Sequence, residues 1–203
     1  MSVLRKKQKQ KREEAIIEAA KELISERGYR NTSIEEIAQK AEVGPATVYN
    51  YFGSKSGLFV SVFNKEVEIL LEYGEKIINN PPAEAEEAVY KLAEAFFSDF
   101  INRYSRRLMR EIFIAVLVEQ LSVRKAIIGL DYALMAQLAK LLELMKNRGQ
   151  INVETTAEDA AFVIYSVIIT DLMAFFVDDD MSIQDCLQAM KSHIYLVFKG
   201  FTS

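Results

Sequence analysis

A chain of 203 residues has room for one medium domain, or for a small domain joined to a larger one, with a hydrophobic core of useful size. Half of it is hydrophobic, and 3 Pro and 8 Gly are too few for many short strands, so long helices are expected; the single Cys186 excludes an internal disulfide. The formal net charge of -4 hides a polarity, because residues 1–60 hold 11 Lys+Arg against 8 Asp+Glu while the remainder holds 14 against 21. An anionic partner is therefore expected at the front of the chain. That bias is densest in "RKKQKQKR", Arg5 to Arg12, where six of eight residues are basic; the run reads either as a solvated tail or as an arm that touches phosphates.

In chain order, "REEAIIEAAKELISERG" places Ile16, Ala20, Leu23 and Ile24 at helical spacing and ends on Gly28 as a cap. A second helix starts near Ser33, with Glu36 at capping-box distance. "EVG" interrupts it, with Gly44 expected to supply the permissive backbone, and Pro45 opens a third helix that runs to about Phe52. Val48 and Phe52, four apart, are expected to face inward with Ile37 and Ala41. Gly53 breaks the chain and Ser54 caps a fourth helix toward Ile78, stopped by "NNPP". Further helices are predicted over residues 83–104, 106–120, 123–147, 156–177 and 182–199. The fold expected is all-α. Residues 161–177 approach the length of a membrane span, yet Tyr165, Ser166, Thr170 and Asp171 mark them as a buried helix and no membrane is expected. Buried, Asp171 needs a donor. Leu187, Met190, Ile194, Val197 and Phe198 form a stripe on the last helix. A helix that is apolar all round must be covered on every side, so a homodimer through the last two helices is expected.

Two short helices joined by a Gly-containing turn, behind a supporting helix and at the positive end of the chain, describe a helix-turn-helix. Its residues are more specific. "GYRNTSIEEIAQKAEVGPATVYNYFGSKSGLF" resembles the N-terminal domain of the TetR family of transcriptional regulators, over about residues 11–60. The resemblance implies a DNA-binding domain at 1–58 with a basic arm, and an effector-binding and dimerisation domain at 59–203. It implies that Thr47, Tyr49, Tyr51 and Lys55 meet the DNA backbone. Ser33 is a cap that also has a phosphate within its chemistry. The outward residues Pro45, Ala46, Thr47 and Asn50 are left to face base edges, Asn50 as a bidentate partner of adenine and Ala46 or the Thr47 methyl against thymine. Glu35 and Gly57 depart from the family pattern. Gly57 stands where many relatives carry an acid that completes a capping box with Ser54, so a looser start to the fourth helix is expected.

By the same resemblance the rest of the chain binds a small effector. Phe100, Met109, Phe113, Tyr132, Met135, Phe162 and Tyr165, with Phe96 and Phe97, are the apolar and aromatic residues available to line its pocket. One His and one Cys leave no conventional metal site, no cofactor is expected, and the sequence has no Gly-rich phosphate loop, G-x-S-x-G, HExxH or Cys cluster. An enzyme is not expected. The reading is a ligand-responsive regulator, most simply a repressor, that binds operator DNA as a homodimer in the cytoplasm, where a lone cysteine and the lack of a secretory apolar run fit. Its rival is a helical interaction module that has kept the fold without specific DNA binding.

Overall fold

A computed structural model describes residues 3–103, 106, 110, 121–151, 154 and 156–201. Every regular element among them is a helix: α1 (Val3–Arg27), α2 (Ile34–Lys40), α3 (Pro45–Phe52), α4 (Lys55–Asn79), α5 (Ala85–Arg103), α6 (Leu121–Asn147), α7 (Ala157–Val177) and α8 (Ile183–Phe201). The fold is all-α. The basic run is no tail, since α1 already contains it. The helix predicted over 106–120 falls almost wholly outside the described residues, and Ser122 lies inside α6 instead of breaking the chain before it.

The chain forms two compact units, Met1–Glu66 with Tyr104–Ile128, and Val67–Arg103 with Gly129–Ser203. The first unit runs into α4 as far as Glu66. Its core joins Ile16, Ala20, Leu23 and Ile24 of α1 to Ile34, Ile37 and Ala38 of α2, Val48 of α3, and Leu58, Phe59 and Val62 of α4. Each large side chain buried there contributes about 1.5–3 kcal/mol of transfer free energy. Phe52 and Ala41, expected inside, are only half-buried.

In the second unit, α8 packs on both α5 and α7. Its buried line is Cys186, Met190, Ile194 and Phe198, facing Leu92 and Phe96 of α5, and Ile164, Ile168, Leu172 and Phe175 of α7, in one core with Leu138, Leu141, Leu142 and Met145 of α6. Leu187 and Val197 of the predicted stripe sit at its half-buried margins. The donor that Asp171 needs is the ring of His193, whose Nδ1 lies 2.9 Å from Oδ1 and 3.0 Å from Oδ2. A second internal pair joins α7 to α6, where the Tyr165 hydroxyl donates to Asp131 at 2.8 Å. Burial pushes the Asp131 carboxyl up against the opposing pull of that hydrogen bond, and pushes the Tyr165 hydroxyl up as well. α7 is long and apolar enough to cross a membrane, but only half of its span is buried in the protein. Phe162, Val163, Met173 and Val177 stay on its outside, as Leu196 does on α8.

At Gly74 of α4, side chains of α5 and α6 press against the helix. Gln137 of α6 donates through Nε2 to the Leu71 carbonyl at 2.9 Å, which lays its other amide atom, Oε1, on the Gly74 backbone. Oε1 is buried and has no hydrogen-bond donor among the described residues. A Cβ at Gly74 would overlap Oε1 and stand 2.8 Å from the Phe96 ring. Gly74→Ala is accordingly expected to destabilise the protein by about 1–3 kcal/mol through overpacking. Thermal unfolding monitored by circular dichroism reads this as a lowered midpoint, and an unchanged midpoint would mean that the contact is not tight.

Candidate nucleic-acid interface

The surface of interest is built from the α1–α2 loop upward. Thr32, buried, donates its hydroxyl to the Gly28 carbonyl at 3.0 Å and lies 3.3 Å from that of Leu23, so it closes the open end of α1. Ser33 then forms the expected capping box: its Oγ accepts from the Glu36 amide at 3.1 Å while its own amide donates to Glu36 Oε2 at 2.8 Å. These bonds from the Ser33 amide and hydroxyl hold the Glu36 carboxyl below its ordinary range, with Arg27 adding an ion pair at 2.8 Å. The Ser33 hydroxyl proton also goes to Glu36, at 2.8 Å. Only an acceptor site is left on it for any further partner.

Between α2 and α3 the left-handed residue is Glu42, at φ 55, and not Gly44, which is extended at φ −77. This corrects the expected role of Gly44. The Val43 amide donates to the Ala38 carbonyl and the Glu42 amide to that of Gln39, the paired bonds of a Schellman end, and they force the residue after the Ala41 cap to turn left-handed whatever its type. α3 follows with Pro45 in its first turn and Val48 completely buried. Pro45, Ala46, Tyr49 and Asn50 face outward, while Thr47 and Tyr51 are half-buried.

The far end of α3 is pinned from two sides. Tyr51 donates its hydroxyl to the Lys9 carbonyl of α1 at 3.2 Å. After Phe52, Gly53 turns at φ 73 and Ser54 caps α4, its Oγ accepting the Gly57 amide at 2.9 Å. Lys55 opens α4 with its ammonium 4.4 Å from the centre of the Tyr29 ring and 3.4 Å from the Arg30 carbonyl. Tyr29 is the residue that sequence reading passed over. Its ring packs on Phe59 at 4.7 Å and its hydroxyl meets Ser56 at 3.0 Å, so it carries the loop after α1 onto the start of α4. An aromatic directly after the helix-ending Gly28 was the available signal.

The eight interface residues named from sequence thus lie on consecutive elements of one compact unit. Of the seven residues named for an effector pocket, the structure describes four side chains. Tyr165 is buried and Met135 half-buried, whereas Tyr132 and Phe162 are 63% and 61% exposed; Met109, Phe113 and the Phe100 side chain lie outside the described residues.

Residues 16–62, from the first core residue of α1 to Val62 of α4, match the family model described as bacterial regulatory proteins, tetR family. Over this stretch the chain carries the N-terminal domain of the TetR family. It is 31% identical over 90 residues to the fatty acid metabolism regulator protein of Bacillus subtilis, a stretch covering 44% of this chain and 46% of that one. It is 31% identical over 94 residues to the biofilm operon icaADBC negative transcriptional regulator IcaR of Staphylococcus aureus, covering 45% and 48%. The chain thus spans about half the length of either relative. A crystal structure of FadR from Bacillus subtilis in complex with stearoyl-CoA shares the fold over nearly the whole length, with a TM-score of 0.73, 23% identity and coverage of 92% and 98%.

Against this TetR-family pattern, the structure gives the glycine at position 57 a reason. A Cβ there would overlap the carbonyl oxygen of Phe52. The start of α4 is therefore held close to the end of α3, and the acid expected from relatives has no room. Gly57→Ala must move backbone, and is expected to lower stability by about 1–3 kcal/mol. Gly57→Asp should lower it at least as much despite restoring the family's capping residue. Chemical denaturation of both variants checks this, and a stabilised Gly57→Asp would overturn it.

Proposed function

We propose that the chain is a transcriptional repressor that binds double-stranded operator DNA as a homodimer and releases it on binding a small, largely apolar effector. The observation that carries the proposal is the sidedness of α3. Val48 is completely buried while Pro45, Ala46, Tyr49 and Asn50 face outward, within the stretch matched to the family. In this reading α3 lies in the major groove. Asn50 pairs with adenine, and Ala46 and the Thr47 methyl meet thymine methyls. Tyr49, Tyr51 and Lys55 bond phosphates; the Lys55 ammonium, held at the start of α4, can exchange its long bond to Arg30 for a phosphate oxygen. Ser33 acts chiefly by fixing α2, because donating to a phosphate would require its hydroxyl to release Glu36.

The homodimer rests on α7 and α8. Phe162, Val163, Met173 and Val177 are exposed on one helix and Leu196 on the other, and Leu196 lines a groove of about 450 Å³ with Val167, Thr170, Asp171, His193 and Val197. A second copy would cover this surface by a two-fold axis and hold two recognition helices about 34–36 Å apart, one turn of DNA. Phe162 fits that face better than a pocket. The stearoyl-CoA bound by one structural relative favours an effector with a long apolar body and a polar end. Phe100, Met109, Phe113, Met135 and Tyr165 remain its candidate contacts. α4 has residues in both units, so an effector that binds two positions of this helix unequally changes DNA affinity.

Selection of bound fragments from genomic DNA tests the reading directly. On a selected duplex, Lys55→Ala is expected to weaken binding to all sequences alike and to lower the slope of log affinity against log salt by about one. Asn50→Ala should cost about 1–3 kcal/mol and relax the preference at one base pair. Failure of the native chain to retain any fragment would leave the helical interaction module as the better account. For the assembly, Val177→Glu combined with Leu196→Glu should convert a dimer into a folded monomer in analytical ultracentrifugation. A native chain that sediments as a monomer at micromolar concentration would sink the dimer.

A further inference from the structure

The six cations between Arg5 and Arg12 are the opening turns of α1, and all of them are exposed. With about 100° per residue, Arg5, Lys9 and Arg12 fall on the same line of the helix as Ile16, Ala20 and Leu23. The stripe that buries the core therefore continues beyond it as three cations. Lys9 fixes the direction in which that line faces. Its carbonyl accepts the Tyr51 hydroxyl at 3.2 Å and its ammonium stands 5.7 Å from the centre of the Tyr51 ring, on the residue next to Asn50 of α3. The charges also run against local helix energetics. The first turn of α1 holds no acid, and cations at a helix N-terminus oppose the positive end of the macrodipole. A bound anion relieves both the mutual repulsion and that opposition.

We infer that this extension of α1 is a second DNA-binding element, in which Arg5, Lys9 and Arg12 grip phosphates flanking the base pairs that α3 meets. The inference rests on the DNA-binding reading and adds to it a site that works through charge alone. The dimensions agree: eight residues span about 12 Å of helix, and a DNA strand carries one phosphate per about 3.4 Å of axis, so three cations on one line face about three phosphates. Lys6, Lys7 and Lys11 point elsewhere around the helix and serve as an internal comparison.

The test compares two full-length variants on a duplex selected by the native chain. One is Arg5→Gln/Lys9→Gln/Arg12→Gln and the other Lys6→Gln/Lys7→Gln/Lys11→Gln, so both lose three charges and keep good helix formers. Affinity is measured across a range of salt, with circular dichroism and unfolding midpoints checked to be alike. The first variant is expected to lose about 2–3 from the slope of log affinity against log salt, with affinity falling tenfold or more and the ranking of mutated operators unchanged. The second should lose less than about one. Equal losses in the two variants would overturn the inference in favour of diffuse attraction, and an unchanged slope in the first would overturn it outright. No binding of any duplex by the native chain would instead overturn the parent reading, and this inference with it.

Discussion

The candidate DNA face depends on one corner of the chain, where α3 ends and α4 begins with backbone almost against backbone. Gly53 takes a left-handed turn, Ser54 caps the next helix, and Gly57 leaves room for the Phe52 carbonyl. Side-chain contacts tolerate a few tenths of an ångström of slack, but an overlap with a carbonyl does not. The corner thus sets where Lys55 emerges relative to Tyr49 and Asn50. Tyr29 reinforces it from the other side by packing on Phe59, bonding Ser56 and lying under the Lys55 ammonium. Four short-range devices therefore hold Lys55, Tyr49 and Asn50 in one frame, as the proposed DNA-reading face requires.

Much of this frame is legible in the sequence because it is made of local signals. The caps at Ser33 and Ser54, the helix limits at Pro45 and Gly53, and the inward Val48 all follow from residue type and spacing within a few positions. What escapes reading depends on contacts between segments. Gly57 looks like a weakened cap, and only the approach of Phe52 makes it a steric requirement. Tyr29 looks like a connecting residue until Lys55, Ser56 and Phe59 gather around it. The turn misleads for a related reason. Gly44 is the natural choice for a left-handed residue, but the hydrogen bonds that close α2 select the position and assign it to Glu42. The pocket residues are the least legible, because an aromatic at a helical position fits a core, a cavity or an outer face equally well. Burial alone separates Tyr165 from Phe162.

The second unit faces a different problem. Long helices rich in Leu, Ile and Ala can slide past one another with little change in buried area, so hydrophobic packing by itself specifies their register poorly. Polar contacts between helices supply what is missing. Tyr165 to Asp131 ties α7 to α6, His193 to Asp171 ties α8 to α7, and Gln137 to the Leu71 carbonyl ties α6 to α4. A slip of one residue in any pair would leave a buried carboxylate, hydroxyl or amide without its partner, at a cost of about 1–3 kcal/mol for a neutral group and more for a charged one.

The strength of these ties differs along the unit. The Asp131–Tyr165 pair lies inside, whereas His193 is half exposed at the apolar groove of α7 and α8. A second copy laid over that groove would remove water from His193 and tighten its bond to Asp171, so dimer formation and helix register would support each other. The carbonyl oxygen of Gln137 has no hydrogen-bond partner among the described residues, although Nε2 of the same side chain also lies 3.3 Å from Glu75 Oε1. Lys140 and Glu75 add an ion pair at 2.9 Å to the same junction, so α4 is tied to α6 by a network with one unfilled acceptor, and α4 is also the helix on which Lys55 sits.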